Sequence, residues 1–160
     1  MSKYIMKFDG TEYAFLSNFY PSKLELTHLY LDKVSTEPLL YSTVEHAYQA
    51  SKTFNLEERE SIRMASNPGA SKRLGRHCAL REDWEDIKYD VMLDLLRKKF
   101  SNDNPELMKK LINTGDSHLV EGNTWHDNNF GVCVCIECGS VGKNMLGKLL
   151  MKVRDEIKNQ

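Results

Sequence analysis

The fold of this chain is organised around the stretch Tyr41-Ser42-Thr43-Val44-Glu45-His46-Ala47-Tyr48-Gln49-Ala50-Ser51-Lys52. The stretch contains good helix formers, and Ser42 with Glu45 fits the S-x-x-E capping box that opens a helix. At spacings i, i+3, i+4 and i+7, one face of this helix carries Glu45, Tyr48, Gln49 and Lys52. A carboxylate, a phenol, an amide and an ammonium in this arrangement suit a polar, phosphorylated substrate. The alternative is a surface helix whose Glu45 only caps its own N-terminus.

The composition indicates one folded domain that spans residues 1–160. The net charge of −1, with 28% charged residues, does not indicate a surface that coats nucleic acid. The 41% of hydrophobic residues, without low-complexity runs, favours a folded globule over disorder. No apolar run approaches the ~20 residues of a membrane span, and the N-terminus lacks the apolar core of a signal peptide. We therefore expect a cytoplasmic protein with no membrane partner.

The cysteines raise the question of a metal site, because three of them form Cys133-x-Cys135-x-x-Cys138 beside His126. This spacing matches structural zinc sites poorly, since those usually pair two C-x-x-C units or add paired histidines. Cys133 and Cys135 also alternate with apolar residues, as in a buried strand over 132–136. We therefore expect no metal, and in a reducing compartment no disulfide. Packing is the role that this pattern predicts.

The N-terminal part predicts strands on either side of an aromatic segment. Residues 3–8 and 23–31 are rich in strand formers. The simpler interpretation of the aromatic segment, 13–21, is an irregular loop packed on the core. Alternatively, aromatic faces beside a buried amide, such as Phe19 and Asn18, can hold a flat base.

Three cations follow a short predicted helix over 56–65. Asn55 is the expected N-cap of that helix, and Asn67-Pro68-Gly69 predicts a turn after it. The next segment, a predicted helix start, carries Lys72, Arg73 and Arg76. Cations at a helix start suit a phosphate clamp. The alternative is a basic, solvated surface.

The longest helix is predicted over 82–100, where an apolar stripe of helical period begins with Trp84. This pattern makes Trp84 a core residue, although an aromatic ring in the first helical turn can also project into a cleft. A helix is predicted over 105–113, with proline at its first position. The last helix is expected to have Asn144 as its cap.

The region before the last helix predicts a strand over 118–121 and a loop over 122–131. This loop holds Asp127, which in Asp127-Asn128-Asn129 is also a common turn former. The glycine-rich turn at 139–144 lacks the Gly-Lys-Ser/Thr ending of a P-loop, so we discount hydrolysis of nucleoside triphosphates.

In their order along the chain, four blocks resemble the NADAR (YbiA-like) family of N-glycosidases. They are Ser17-Asn18-Phe19, Glu45-His46-Ala47-Tyr48-Gln49-Ala50-x-Lys52, the region from Lys72 to Lys99-Phe100, and the region from Leu119 to Arg154, which includes Asn144-x-Leu146-Gly147-x-Leu149-Leu150-Met151. Together they span nearly the whole chain. The chain departs from the family at Phe130-Gly131, where Trp-Gly is frequent, and in a longer connection over 29–40.

The resemblance implies an α+β fold, with one compact, mostly helical domain and a few short β-strands. It implies hydrolysis of the bond between a ribose C1 and a nitrogen, without a cofactor. The implied substrates are phosphoribosyl-aminopyrimidine intermediates of riboflavin synthesis, or ADP-ribose attached to guanine, including guanine in nucleic acid. The positions that match those implicated in catalysis are Glu45, Trp84 and Asp127.

Such a reaction passes through an oxocarbenium-like transition state, which glycosidases stabilise with two carboxylates. One of Glu45 and Asp127 would activate water or stabilise the cation, and the other would protonate the leaving nitrogen or orient the sugar hydroxyls. We expect both to line one cleft with Trp84, the carboxylates lying within roughly 10 Å of each other. Substrate contacts are expected from Asn18, Phe19, Tyr48, Gln49, Lys52, Arg73, Arg76, Phe130 and Asn144. The rival class is a non-catalytic sensor that binds ADP-ribose or a related nucleotide, and two carboxylates favour the enzyme.

Overall fold

A computed structural model describes residues 3–160 of the chain. The helices in this range are α1 Val44–Ala50, α2 Leu56–Arg63, α3 Pro68–Arg76, α4 Trp84–Lys99, α5 Pro105–Ile112 and α6 Met145–Lys158, with a 3-10 turn at Ala14–Leu16. The strands are β1 Tyr4–Ile5, β2 Leu24–Leu26, β3 His28–Leu29, β4 Asp32–Lys33, β5 Leu39–Tyr41, β6 His118–Leu119, β7 Gly122–Asn123 and β8 Val132–Cys133. The predicted α+β class is confirmed. None of these helices is long and apolar enough to cross a membrane.

The contacts within the chain define two compact units. One unit, Asn18–Asn104, contains α1 to α4 and two antiparallel strand pairs, β2 with β5 and β3 with β4. The ends of this unit are fastened to each other. Lys23 N–H donates to Asn104 Oδ1, and Asn104 Nδ2 donates to the Lys23 carbonyl, both at 2.8 Å. The other unit combines the described residues before Asn18, 3–17, with Pro105–Gln160.

Capping side chains set the starts of α1 and α2. Thr43 is the N-cap of α1, and its Oγ1 accepts a hydrogen bond from His46 N–H at 3.2 Å. The predicted cap at Ser42 is therefore wrong by one residue, because Thr43 adopts the extended N-cap conformation. α2 begins as predicted, after Asn55, whose Oδ1 accepts from Glu58 N–H at 3.0 Å.

α3 begins earlier than the sequence predicts. Asn67 is its N-cap, with Oδ1 accepting from Ala70 N–H at 2.8 Å, and Pro68 follows as the first helical residue. The predicted turn at 67–69 is therefore the first turn of a helix. Proline is tolerated there because a helix offers no acceptor for the first N–H groups.

α1 is the buried centre of its unit. All seven of its residues are buried, and α2, α3 and α4 pack against it. α3 approaches α1 closely at Gly75, where an added Cβ would overlap the Gln49 side chain. His46 Nε2 lies 3.0 Å from the Ala65 carbonyl, which ties α1 to the end of α2. The alternative of a surface helix is therefore wrong.

The other unit is built on parallel strand pairs, β1 with β6 and β7 with β8. Asn144 precedes α6 in a left-handed conformation, with φ 52°, and its side chain makes no cap hydrogen bond. Instead, its Oδ1 accepts from Glu121 N–H at 3.0 Å and its Nδ2 donates to the Leu119 carbonyl at 2.9 Å. Asn144 therefore occupies the predicted N-cap position, but its side chain fastens the start of α6 to the end of β6 and the residues that follow it.

Two strand predictions also differ from the structure. The single strand expected over 23–31 is divided into β2 and β3. The buried strand expected over 132–136 is wrong, because β8 ends at Cys133 and the next residues form a turn. Ile136 is 102% exposed and Val134 49% exposed, so the alternation of apolar residues here does not mark a buried face.

Candidate active site

Glu45 is a buried carboxyl on α1. Its side chain accepts a hydrogen bond from Gln49 Nε2 at 2.6 Å, and Glu45 is 7% exposed. The i, i+4 spacing places the amide over the carboxyl, as the sequence predicts. Because Thr43 caps the helix, the interpretation of Glu45 as only a cap is wrong.

The surroundings of Glu45 favour its protonated form. Burial raises the pKa of the Glu45 carboxyl, while the hydrogen bond from Gln49 and the charges of Lys72 and Lys52 act in the opposite direction. Burial also lowers the pKa of the Lys52 ammonium, and the charge of Glu45 opposes that shift. A carboxyl with a raised pKa is suited to donate a proton during catalysis.

Lys52 belongs to a cluster of cations with Lys72 and Arg76. The charges of Lys72 and Arg76 both lower the pKa of Lys52, so the three cations interact electrostatically. Lys72 and Arg76 are four residues apart on α3 and share one face. Arg73 and Arg76 are both exposed, and the Arg73 guanidinium lies beside Gly69, one turn earlier in the helix. The cation cluster, Lys52 with Lys72 and Arg76, can bind a phosphate group.

Trp84 begins α4 and packs on α1. It is 4% exposed, so the core position predicted from the apolar stripe is confirmed. Its ring meets that of Tyr48 edge to face, with 5.0 Å between centroids and 61° between planes. Tyr48 lies one helical turn after Glu45, so the Trp84 ring borders the face of α1 that carries the carboxyl.

Two buried amide oxygens in this unit, Asn18 Oδ1 and Gln49 Oε1, have no hydrogen-bond partner among residues 3–160. The Asn18 carbonyl accepts from the backbone N–H of Glu45 at 3.1 Å, which fixes Asn18 at the start of α1. A buried acceptor without a partner costs about 1–3 kcal/mol. A ligand with N–H or O–H donors would recover that free energy. Phe19, the predicted aromatic neighbour, is 41% exposed.

Asp127 shapes the loop in which it lies. Its Oδ1 accepts from the N–H groups of Asn129 and Phe130, both at 3.0 Å. The buried Asn123 holds the same loop, because its Oδ1 accepts from Trp125 and Asp127 N–H and its Nδ2 donates to the Asp127 carbonyl. The turn-forming role that the sequence offered as an alternative is therefore confirmed. That role engages only one of the two carboxyl oxygens.

The predicted site residues divide into two groups. Those associated with α1 or its neighbours in the same unit are Asn18, Phe19, Glu45, Tyr48, Gln49, Lys52, Arg73, Arg76 and Trp84. Asp127, Phe130 and Asn144 belong to the other unit, where the Phe130 carbonyl accepts from Leu146 N–H at 2.9 Å. The single cleft expected for Glu45, Trp84 and Asp127 stays a prediction.

Sequence reasoning did not select Gly75 and Asn123, although each shapes its part of the site. Lys72 belongs to the predicted phosphate clamp, and its i, i+4 spacing from Arg76 places both cations on one face of α3. Asn123 precedes a turn that its side chain organises, which is a recognised use of asparagine. No local signal marks Gly75, because its role arises from the approach of two helices.

Potential metal ligands lie directly beside Asp127. His126, Cys133, Cys135 and Cys138 bring one ligand atom each to within 4.8 Å of the others. Cys133 is buried, whereas Cys135 and Cys138 are half-buried and His126 is exposed. Packing, the role predicted for the cysteines, does not account for the convergence of all four side chains.

Known proteins resemble this chain over nearly its whole length. The family model described as the NADAR domain matches residues 4–158. An N-glycosidase of Nostoc punctiforme is 35% identical over 155 residues, which cover 92% of this chain and 87% of that protein. A riboflavin biosynthesis protein of Vibrio vulnificus is 31% identical over 151 residues, which cover 91% of this chain and 36% of that protein.

The N-glycosidase YbiA of Escherichia coli strain K12 is 37% identical over 123 residues, which cover 73% of this chain and 71% of that protein. Its NMR structure matches the fold with a TM-score of 0.77 and 32% identity, covering 99% of this chain and 88% of that one.

Proposed function

We propose a reaction from the premise that this chain, an N-glycosidase, belongs to the NADAR family. The chain hydrolyses the bond between a ribose C1 and a nitrogen in a phosphorylated ribosyl substrate. One observation carries the proposal. The buried Glu45 carboxyl, with its raised pKa, interacts with the charges of Lys52 and Lys72, and the charge of Arg76 in turn acts on Lys52. A proton donor and a phosphate site in the same region suit a substrate that carries its phosphate on the sugar whose bond is cut.

The reaction breaks the C1–N bond, joins a water oxygen to C1 and delivers a proton to the leaving nitrogen. We assign the delivery of this proton to Glu45, because burial favours its protonated form. Asp127 supplies the second carboxylate, which stabilises the oxocarbenium-like transition state or activates the water. The hydrogen bonds to Asp127 Oδ1 support this role, since they fix the orientation of the carboxylate.

The same region offers contacts for the rest of the substrate. The cation cluster binds the phosphate through charge-assisted hydrogen bonds. The Trp84 and Tyr48 rings form the wall beside the ribose. Asn18 Oδ1 and Gln49 Oε1 accept hydrogen bonds from amino groups of the base or hydroxyls of the sugar, which supplies partners for two buried acceptors.

A phosphoribosyl-aminopyrimidine of the kind formed in riboflavin synthesis is the first candidate substrate. A base with several amino groups suits the acceptors on Asn18 and Gln49, and the relative from Vibrio vulnificus is named for riboflavin biosynthesis. ADP-ribose attached to guanine is the second candidate. Three cations provide enough positive charge for its diphosphate.

The test is incubation of the purified protein with each candidate, followed by mass spectrometry of the released base and sugar phosphate. Glu45→Gln protein, purified in parallel, is the matched control for a contaminating glycosidase. We expect base release by the wild-type protein from at least one candidate and little release by the variant. Binding of both candidates without release of base from either would contradict the proposed hydrolysis and favour the sensor.

A further inference from the structure

A four-residue cluster beside Asp127 has the composition and geometry of a metal centre. This Cys3His cluster consists of His126, Cys133, Cys135 and Cys138. His126 Nδ1 lies 3.3 Å from Cys138 Sγ and 3.5 Å from Cys135 Sγ. All four ligand atoms lie within 4.8 Å of one another, although His126 lies in the loop over 122–131, Cys133 in β8, and Cys135 and Cys138 on the turn that follows.

These separations fit a tetrahedral zinc site. Zinc binds sulfur at about 2.3 Å and histidine nitrogen at about 2.0–2.1 Å, so its ligand atoms are about 3.5–3.8 Å apart. The two measured distances from His126 agree with that spacing. Three thiols and one imidazole also form one of the usual ligand sets of structural zinc, and soft thiolates exclude magnesium and calcium.

The backbone holds the ligands in this arrangement. Cys135 and Cys138 lie on one tight turn, which Gly139 N–H closes by donating to the Cys135 carbonyl at 3.0 Å. Gly139 has φ 65°, a conformation that glycine adopts without strain. His126 has φ 66°, which is uncommon for a residue with a side chain. The strained backbone at His126 turns its imidazole toward the two sulfurs.

Hydrogen bonds to sulfur surround the cluster, as they do around thiolate ligands of metals. Cys138 N–H donates to Cys135 Sγ at 3.4 Å, and Asn128 Nδ2 donates to Cys138 Sγ at 3.4 Å. Asn128 Oδ1 accepts from Cys133 N–H at 3.2 Å, so the same side chain contacts two ligand residues. Asn128 therefore acts as an outer-sphere residue that orients two of the ligands.

We propose that the Cys3His cluster binds one zinc ion and that this ion has a structural role. The protein supplies four ligands, which leaves no open coordination position for water or substrate. The ion would join the loop over 122–131 to the turn over 135–138. Since His126 precedes Asp127, zinc would limit the motion of the backbone that carries this carboxylate. The proposal does not depend on the proposed reaction.

The first test uses the wild-type protein, purified without chelators under reducing conditions, with its zinc measured by plasma mass spectrometry. We expect one zinc ion per chain. After removal of the metal, the reduced protein should take up zinc with a dissociation constant of about 50 nM or smaller. A value of about 50 nM corresponds to the weakest binding found for structural zinc sites. Cobalt in the same protein should give thiolate-to-metal charge-transfer absorption, which needs no variant and reports the ligands directly.

Serine substitutions then locate the site. Cys135→Ser and Cys138→Ser should each lower zinc content and weaken zinc affinity at least about 100-fold, because each removes a thiolate ligand. Cys78→Ser is the matched control, since Cys78 is the one cysteine of the chain outside the cluster. It should retain one zinc ion per chain.

Three results would overturn the proposal. The reduced wild-type protein could fail to take up zinc, Cys78→Ser could lose zinc to the same extent as the cluster variants, or cobalt could bind without thiolate absorption. Recovery of the cysteines as a disulfide in metal-free protein, with no zinc uptake after reduction, would assign the cluster to redox chemistry instead.

Discussion

Gly75→Ala tests whether the close approach of α3 to α1 holds the Glu45 carboxyl in place. The added Cβ would overlap Gln49 Oε1 and Cδ and would lie 3.1 Å from Gln49 Cβ, so the amide must rotate away and the Gln49 Cβ must shift by a few tenths of an ångström. Gln49 also donates the hydrogen bond to Glu45. The substitution should therefore disturb both the packing of the two helices and the environment of the carboxyl.

The magnitude follows from three contributions. Overpacking of a well-packed contact costs about 1–3 kcal/mol, and loss of a hydrogen bond to the neutral Glu45 carboxyl costs about 0.5–1.5 kcal/mol. Alanine stabilises a helix interior by about 1 kcal/mol relative to glycine, which offsets part of these losses. The net loss in free energy of unfolding is therefore roughly 0.5–3.5 kcal/mol, and most of this range exceeds the error of a denaturant titration.

The measurement is chemical denaturation of the wild-type protein and two variants. Gly69→Ala is the matched control, because it lies on the same helix and an added Cβ there lies 3.2 Å from the Asn67 side chain, with Arg73 next at 3.7 Å. We expect Gly69→Ala to change stability by less than about 1 kcal/mol. In a Gln49→Ala background the cost of Gly75→Ala should shrink, since the overlapping amide is gone. Equal stability of Gly75→Ala and Gly69→Ala would refute the reasoning.

Four further predictions concern chemistry and charge. Glu45→Gln should lower kcat by at least ~100-fold while substrate affinity changes little, as measured by turnover and calorimetry; full turnover would remove Glu45 from the reaction. Arg76→Ala should weaken binding of a phosphorylated ligand about 10- to 100-fold, whereas Arg73→Ala, which alters an exposed cation outside the cluster, should have a smaller effect; equal effects would indicate a diffuse basic surface. Burial raises the pKa of Glu45, so the folded state binds the carboxyl proton more tightly than the unfolded state does. The stability that this difference supplies is fully present below the ordinary carboxyl pKa of 4.5 and is lost as pH rises through the folded-state pKa. Urea titrations at several pH values across that window should therefore show a smaller decline in the free energy of unfolding with pH for Glu45→Gln than for the wild-type protein. Identical changes with pH in the two proteins would contradict the assignment. Removal of zinc should lower the melting temperature of the wild-type protein but not that of Cys138→Ser. The decrease in the wild-type protein should be larger when the free zinc concentration before removal is higher.

The parts of the fold that sequence predicted well are those governed by local signals. Asn55 opens α2 as expected, and the helix beginning at Trp84 has its apolar stripe buried. Local signals were ambiguous where two capping residues stand side by side. Ser42 and Thr43 are both good caps, and only the fold decides that Thr43 is used.

Predictions that depended on neighbours distant in sequence were less successful. The alternating apolar pattern at 132–136 is that of a strand, yet Ile136 is fully exposed because the chain turns to bring Cys135 and Cys138 together. The left-handed backbone of His126, which directs its imidazole to the sulfurs, is not specified by neighbouring residues. For Glu45 the position was evident from sequence, but its burial and raised pKa required the packing of three helices around α1.

The pairing of β1 with β6 has a consequence for the order of folding. β1 lies at the start of the chain, and its partner strand follows more than a hundred residues later. During synthesis β1 therefore has no partner strand until the whole of Asn18–Asn104, and then β6, has emerged from the ribosome. That segment contains its own core, and its ends are joined by the bonds between Lys23 and Asn104, so it can fold first. Its folding would bring the flanking segments near each other, which lowers the entropy cost of closing the long loop between β1 and β6.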